Sequence, residues 1–239
     1  MTFAVIADIH SNIEALEAVL KDIENRKIYK VYCVGDLVGY YPFPNEVIER
    51  LREDEIQTVM GNYDESVGKN LLVCGCDYGD EHQMMLAGQS LEWTKRNTTD
   101  GNKKYLRNLP RELRLNISGK EVLMVHGSPR ALNEYLKLTT PSDYLKELAE
   151  EQKADVLIFG HTHVPYHRKI DEYHFINAGS AGKPKHGNPN ATYVVVDIAQ
   201  THVKADIIEV PYDYEKVIQA VEKSDLPDEF AELLRRGTG

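Results

Sequence analysis

Three apolar runs near the start of the chain, Phe3–Ala7, Val31–Val34 and Ile56–Met60, each stop at a polar tip: Asp8-Ile9-His10, Gly35-Asp36 and Gly61-Asn62. Between the runs, Ile13, Leu16, Val19, Leu20 and Ile23 recur at helical spacing, as do Val47, Ile48 and Leu51. Ser11-Asn12 and Asn45 carry the side-chain oxygens that cap helix starts. Strand, helix and strand repeating at intervals of about 26 residues is the spacing of βαβ units, whose strands are parallel and whose crossovers are right-handed. Parallel strands point their tips at one edge of the sheet, so Asp8, Asp36 and Asn62 are predicted to meet there.

The same grammar returns after an interruption. From about Glu65 to Leu109 the strand-helix alternation breaks, and an insertion carries a predicted helix with Met84, Met85, Leu86, Leu91 and Trp93, positions assigned to core. The insertion is placed to roof a site, and His82 near its start is read as a solvated surface histidine. Beyond it, Leu113–Ile117 alternates, Ser118-Gly119-Lys120 turns, and Glu121–Val125 returns to deliver His126-Gly127-Ser128-Pro129-Arg130. A helix around Tyr144–Ala149 precedes the run Val156–Phe159, which delivers Gly160-His161-Thr162-His163. Strands flanking Asn177–Ser180 and another over Thr192–Asp197 make this half a mainly antiparallel β region. Residues 1–210 are expected to form one domain. Residues 211–239 form a C-terminal helical appendage, with short amphipathic helices around Val217–Val221 and Phe230–Leu234 separated by Leu226-Pro227.

Charge and composition narrow the function. A net charge of -10 over 239 residues offers no basic surplus to displace counterions, which argues against double-stranded nucleic acid and anionic membrane as partners. An enzyme or a protein-binding module remains. Cys33, Cys74 and Cys76 are too few for a disulfide framework and are expected to be reduced thiols. Met1 runs directly into a strand without an apolar leader, and no stretch approaches membrane-spanning length, so a cytoplasmic location is expected.

Asp8, His10, Asp36, Asn62, His126, His161 and His163 all follow apolar runs. Any one alone is explained as a helix cap, a turn residue or a satisfied core histidine. Together they are the carboxylates, amide oxygen and neutral imidazoles that Mn²⁺, Fe and Zn²⁺ accept, and they exceed the needs of one ion. They suit a pair of divalent cations. Repulsion between such a pair at roughly 3.5–4 Å demands a bridging anion, and the central Asp36 is the candidate.

The blocks Asp8-Ile9-His10, Gly35-Asp36-Leu37-Val38-Gly39, Gly61-Asn62-Tyr63-Asp64, His126-Gly127 and Gly160-His161-Thr162-His163, in this order over nearly the whole chain, resemble the calcineurin-like metallophosphoesterases. Gly160–Pro165 is similar to the small prokaryotic phosphodiesterase branch. His126–Arg130, Pro211-Tyr212-Asp213 and Leu226-Pro227-Asp228 are similar to a diadenosine-tetraphosphatase-like or protein-phosphatase-like branch. The resemblance implies a four-layer α/β/β/α sandwich with mixed sheets. It implies one metal on Asp8, His10, Asp36 and His163 and another on Asp36, Asn62, His126 and His161, with manganese foremost and Fe, Zn, Ni or Co as substitutes. It also implies hydrolysis of a small phosphoester by in-line attack of a hydroxide shared between the metals, and relatives often pair as homo-oligomers.

One position departs from the pattern. Many members have a histidine where this chain has Tyr63, and that histidine, oriented by the next aspartate (here Asp64), protonates the leaving alkoxide. A phenol of pKa about 10 is a poor acid near neutrality. Phosphodiester or phosphoanhydride cleavage, including that of nucleotides, is therefore expected ahead of protein-phosphatase-like phosphomonoester hydrolysis. A non-catalytic scaffold on the same fold is the remaining alternative. Arg130 is a candidate phosphate contact through its planar guanidinium or else an exposed loop arginine, whereas Lys183, Lys185 and His186 are either substrate contacts or, as expected here, solvated.

Overall fold

The computed structural model describes residues 1–75 and 79–238, so Cys76 lies outside the described residues. The first half forms as the periodicities require: β1 (Thr2–Ile6), α1 (Ile13–Asn25), β2 (Val31–Cys33), α2 (Pro44–Glu53) and β3 (Gln57–Thr58). The three strands are parallel neighbours. Asn12 caps α1, its side chain accepting from the N–H of Ala15 at 3.1 Å. The third strand is shorter than its apolar run, because the N–H of Met60 leaves the ladder to donate to the Pro110 carbonyl at 2.7 Å.

Helices α3 (Asn62–Gly68), α4 (Glu81–Asn97) and α5 (Asp100–Arg107) follow. Strands β4 (Glu112–Ile117) and β5 (Lys120–Val125) form a hairpin whose two-residue turn has Ser118 at φ 55° and Gly119 at φ 83°. Two positive φ angles match the right-handed twist of the flanking strands. Next come α6 (Ser142–Gln152), β6 (Val156–Phe159), β7 (Tyr166–Ile170), β8 (Tyr173–Asn177), β9 (Ala191–Ala199) and β10 (His202–Val210). The chain closes with α7 (Tyr214–Glu222) and α8 (Glu229–Arg236). No described helix is long and apolar enough to cross a membrane.

The strands make two five-stranded sheets, ordered β10-β9-β1-β2-β3 and β4-β5-β6-β8-β7. Both are mixed, and the second half is mainly antiparallel as expected, with β4–β5, β7–β8 and β9–β10 antiparallel and β5–β6 and β6–β8 parallel. Strands β5, β6 and β8 are parallel neighbours, and α6 serves as the crossover that the β5–β6 pairing needs. The sheets pack face to face. Alternation along β1 sends Phe3 and Val5, with Ala7 beyond the strand end, into the space between them, against Met124, Ile158 and Ile176. Ala4 and Ile6 point the other way, onto the layer containing α1, α2, α7 and α8. On the far side Leu123, Leu157 and Phe175 pack against Leu145 and Leu148 of α6. Four layers, α/β/β/α, result.

Within α4, Leu86, Leu91 and Trp93 are buried, but Met84 and Met85 are exposed, against the expectation that all were core. The N-terminal end of the helix, residues 81–85, is exposed throughout, and burial begins at Leu86.

Candidate active site

The backbone leaves the strands in an uncommon conformation. Asp8, His10, Asp36, His161 and His163 have φ of 51°, 49°, 55°, 64° and 60°, the left-handed region, which costs a non-glycine residue roughly 1–2 kcal/mol. Hydrogen bonds between neighbouring loops hold them there: the N–H of Asp8 donates to the Gly35 carbonyl, that of His10 to Asp36, and that of Gly160 to His126. Each loop thus fixes the next.

All seven strand-end side chains predicted to converge do so, and all are buried. They form two groups, Asp8–His10–His163 and Asp36–His126–His161, in each of which the ligand atoms lie within 4.8 Å of one another. Asn62 joins the second group, its Oδ1 standing 3.0 Å from His126 Nε2 while its amide nitrogen donates to the Cys74 carbonyl. Asp36 lies between the groups. Its Oδ2 is 3.6 Å from His10 Nε2 and 3.5 Å from His126 Nε2, and its Oδ1 accepts the N–H of Tyr63.

The hydrogen bonds fix the imidazole tautomers. Nδ1 of His10 faces the Val38 carbonyl at 3.0 Å, and Nδ1 of His163 faces the Lys183 carbonyl at 2.6 Å. A carbonyl only accepts, so each Nδ1 carries the proton and each Nε2 presents a lone pair. Burial keeps both rings neutral, lowering His10 to about 3 and His163 well below its usual value. Two lone pairs therefore face each other across 3.3 Å. A shared cation resolves that conflict, and the carbonyl partners are the outer contacts that orient metal-binding histidines.

The remaining atoms agree. Asp8 Oδ1 and His161 Nε2 are buried with no hydrogen-bond partner among the described residues. Burial pushes the Asp8 carboxyl up to about 8. The same burial acts on Asp36, but the neighbouring His126 imidazolium outweighs it and holds Asp36 at about 2. His126 in turn is raised to about 9, burial being overcome by Asp36. Positive charge is in demand here, and donors of this type fit divalent cations.

Asp64 has a different place. Its Oδ2 accepts the N–H groups of Asp36 and Gly61, and its Oδ1 that of Leu37, each at 2.9 Å. It pins the Asp36 loop to the start of α3. Tyr63 is buried beside the site, its ring edge-on to His10 at 5.4 Å. Of its two readings Arg130 takes the loop one and is not a phosphate contact at the cavity: its guanidinium donates to Glu147 and Glu151 of α6 at 2.6 and 2.7 Å, away from the cavity.

Above the two groups lies a cavity of about 700 Å³. Its floor includes His10, Asp36 and His161, and aromatic walls come from Tyr40, Tyr63 and Tyr135. Tyr135 lies against His161 with ring centroids 4.1 Å apart. Lys183, expected to be solvated, is buried and lines the cavity, with Nζ 4.1 Å from the Tyr40 ring centroid. Lys185 also lines it. His82 is exposed as expected, yet it reaches the cavity mouth and meets Glu229 of α8 at 2.8 Å. The sequence signals for Tyr40 and Lys183 were their positions just past Gly39 and Ser180 in loops next to ligand-bearing tips. Nothing local marked Tyr135.

Residues 1–201 match the model of the calcineurin-like phosphoesterase superfamily domain. The chain belongs to that superfamily. As a calcineurin-like phosphoesterase it is a phosphoric ester hydrolase of a metal-dependent class, and its two side-chain groups are candidate metal-binding clusters. An uncharacterised protein of Methanocaldococcus jannaschii is 36% identical, the match covering 98% of this chain and 97% of the relative. Phosphodiesterase YfcE of Escherichia coli is 27% identical over 82% of this chain and 88% of its own. A metallophosphoesterase from Sphaerobacter thermophilus superposes with a TM-score of 0.77 at 27% identity, covering 99% of both chains. Helices α7 and α8 lie beyond the matched domain but within the last of these superpositions.

Proposed function

We propose that the protein is a dinuclear metal-dependent phosphoesterase that cleaves phosphodiester or phosphoanhydride bonds of small substrates, nucleotides among them. The observation that carries this reading is the position of Asp36 Oδ2, nearly equidistant from His10 Nε2 and His126 Nε2 at 3.6 and 3.5 Å, where one carboxylate oxygen can serve both groups. Asp8, His10, Asp36 and His163 would hold one ion and Asp36, Asn62, His126 and His161 the other, manganese being the first choice and Fe, Zn, Ni or Co alternatives. Divalent cations at these positions supply Lewis acidity, making water nucleophilic near neutral pH and neutralising charge on phosphoryl oxygens.

The chain's own groups do the rest. Asn62, fixed by its bond to the Cys74 carbonyl, presents its amide oxygen in a set orientation. Lys183 at the cavity wall adds positive charge toward a phosphate. Tyr63 is the residue beside the site that could protonate a leaving group, and a phenol does so poorly near neutrality. Substrates whose leaving group departs as a stable anion are accordingly favoured: a phosphate or a phenolate, rather than a serine alkoxide. A cytoplasmic location accompanies this reading, on the strength of the sparse cysteines.

The test is a comparison of substrates after metal stripping and reconstitution with Mn²⁺, Ni²⁺, Co²⁺, Fe²⁺ or Zn²⁺. Bis(p-nitrophenyl) phosphate or a dinucleoside polyphosphate should be turned over, and a phosphoserine peptide more slowly. Faster cleavage of the peptide would establish a phosphomonoesterase, and inertness with every metal would leave a scaffold.

A further inference from the structure

The cavity wall opposite the metal-type ligands carries an apolar patch among charged residues of its rim, Asp80, Glu229, Glu232 and Arg236, and phosphoester chemistry does not require that patch. Leu86 and Ala87 of α4 and Phe230 and Leu233 of α8 face the same space as His10 and Asp36. Aromatic contacts run from floor to wall. The His10 ring meets Tyr40 edge-on at 5.0 Å, and Tyr40 meets Phe230 edge-on at 5.4 Å. The wall therefore stands two ring contacts from the cluster, within reach of a substituent one sugar or one ester oxygen beyond a phosphate held there.

The wall is also fixed in place. His82 of α4 hydrogen-bonds Glu229 of α8 at 2.8 Å across the cavity mouth. The end of α8 is tied back where the N–H of Gly187 donates to the Gly237 carbonyl at 3.0 Å, and Arg235 pairs with Glu215 and Glu222 of α7. Phe230 is buried on the hydrophobic core, whereas Leu233 remains partly open toward the cavity. An apolar patch bordering a polar floor favours a ligand with one flat apolar group and one anionic group, and the volume of about 700 Å³ falls in the range of small-molecule sites.

We propose that α8 and the start of α4 form a selectivity subsite that seats the non-leaving substituent of the substrate, an aromatic ring such as an aryl group or nucleobase, against Leu86, Phe230 and Leu233. This rests on the phosphoesterase reading and adds the substrate class. A simple alkyl ester leaves the wall in contact with water, while a ring covers it.

The experiment compares two diesters that share p-nitrophenolate as leaving group and differ only in the other substituent, phenyl or methyl, with the metal-reconstituted full chain and its Leu233→Asp variant. The wild type should prefer the phenyl ester, mainly through KM. The variant should lower the phenyl-to-methyl ratio of kcat/KM by about tenfold, the scale of disrupting one apolar pocket contact. An unchanged ratio in a variant that melts like the wild type overturns the subsite. A second measurement needs no turnover: calorimetric titration with AMP and with inorganic phosphate should show AMP binding about tenfold more tightly, and equal affinities also overturn the proposal. Absence of turnover with both esters would instead count against the phosphoesterase reading, leaving the titration to decide the subsite.

Discussion

Asp8 Oδ2 accepts the backbone N–H of His161 at 2.9 Å, across 153 residues of sequence. Asp8 follows β1 in one sheet and His161 follows β6 in the other. The same carboxylate turns its other oxygen, Oδ1, toward His163 Nε2 at 3.7 Å, where it has no hydrogen-bond partner among the described residues. One oxygen fixes the spacing of the two sheets at the site. The other is available to a cation.

Asp8→Asn separates these roles. The amide oxygen can still accept from His161, while the amide nitrogen brings N–H groups into the cluster. The melting temperature of the metal-stripped protein should move by only a few degrees, on the scale of about 1 kcal/mol, whereas bound metal measured by elemental analysis should fall below that of the wild type at equal free metal. Wild-type metal content in the variant would remove Asp8 from the ligand set.

Asp64→Ala should act on stability first. It strands the buried N–H groups of Asp36, Gly61 and Leu37, and one unsatisfied buried donor costs about 1–3 kcal/mol. A loss of about 3 kcal/mol or more is expected in urea denaturation, with activity falling because the Asp36 loop is released. A variant of native stability that lacks activity would point instead to a direct chemical role for Asp64.

Part of the acid sensitivity should arise away from the site, at His167 and His174 on the β7–β8 hairpin. Their facing nitrogens are 2.9 Å apart, so they share one proton and cannot both be charged without placing N–H against N–H. Burial, reinforced by the His167 neighbour, lowers His174 to about 4 from the usual 6.5, and burial lowers His167 as well. Between pH 6.5 and about 4 the unfolded chain binds more protons than the native one, so the stabilisation is fully present above 6.5 and falls as pH drops through that window. His174→Phe should flatten the slope of unfolding free energy against pH in this range; an unaltered slope would assign the acid sensitivity to other groups.

Gly182→Ala should disturb the ligand loop through the main chain. A Cβ there would stand 1.7 Å from the carbonyl oxygen of Ile9, between Asp8 and His10, and the N–H of Gly182 already donates to the Asp8 carbonyl. Backbone has to move, at a cost on the order of 3 kcal/mol. Thermal denaturation and metal content should decline together, and a variant unchanged in both would show that the loop has slack.

The parts of this structure that were readable beforehand obey local rules. The β1-α1-β2-α2-β3 succession shows in the alternation of apolar runs with helical spacing, and the strand-end ligands show because each follows such a run directly. The parallel pairing of β5 with β6 was hidden because the segment between His126 and Ser142 is irregular, so the α6 crossover looked like an isolated helix in an antiparallel region. Met84 and Met85 misled because they are apolar yet lie in the exposed N-terminal end of α4, ahead of the buried stretch that begins at Leu86. Arg130 was placed near the site by sequence proximity to His126, but two glutamates one turn apart on α6, Glu147 and Glu151, offer its guanidinium a closer carboxylate pair. Tyr135 reaches His161 only because two loops distant in sequence fold over the same rim, a relationship without a local signature.

The positive φ angles of five ligand-type residues restrict how this centre can vary. Aspartate, asparagine and histidine are the side chains other than glycine that most readily accept that backbone shape, and asparagine differs from aspartate by only an amide. On the proposed ligand assignment, an exchange of Asp8 or Asp36 for asparagine would silence the centre while the surrounding loops keep their path. Activity and architecture would then be separable by a single substitution, leaving an inactive but well-formed protein.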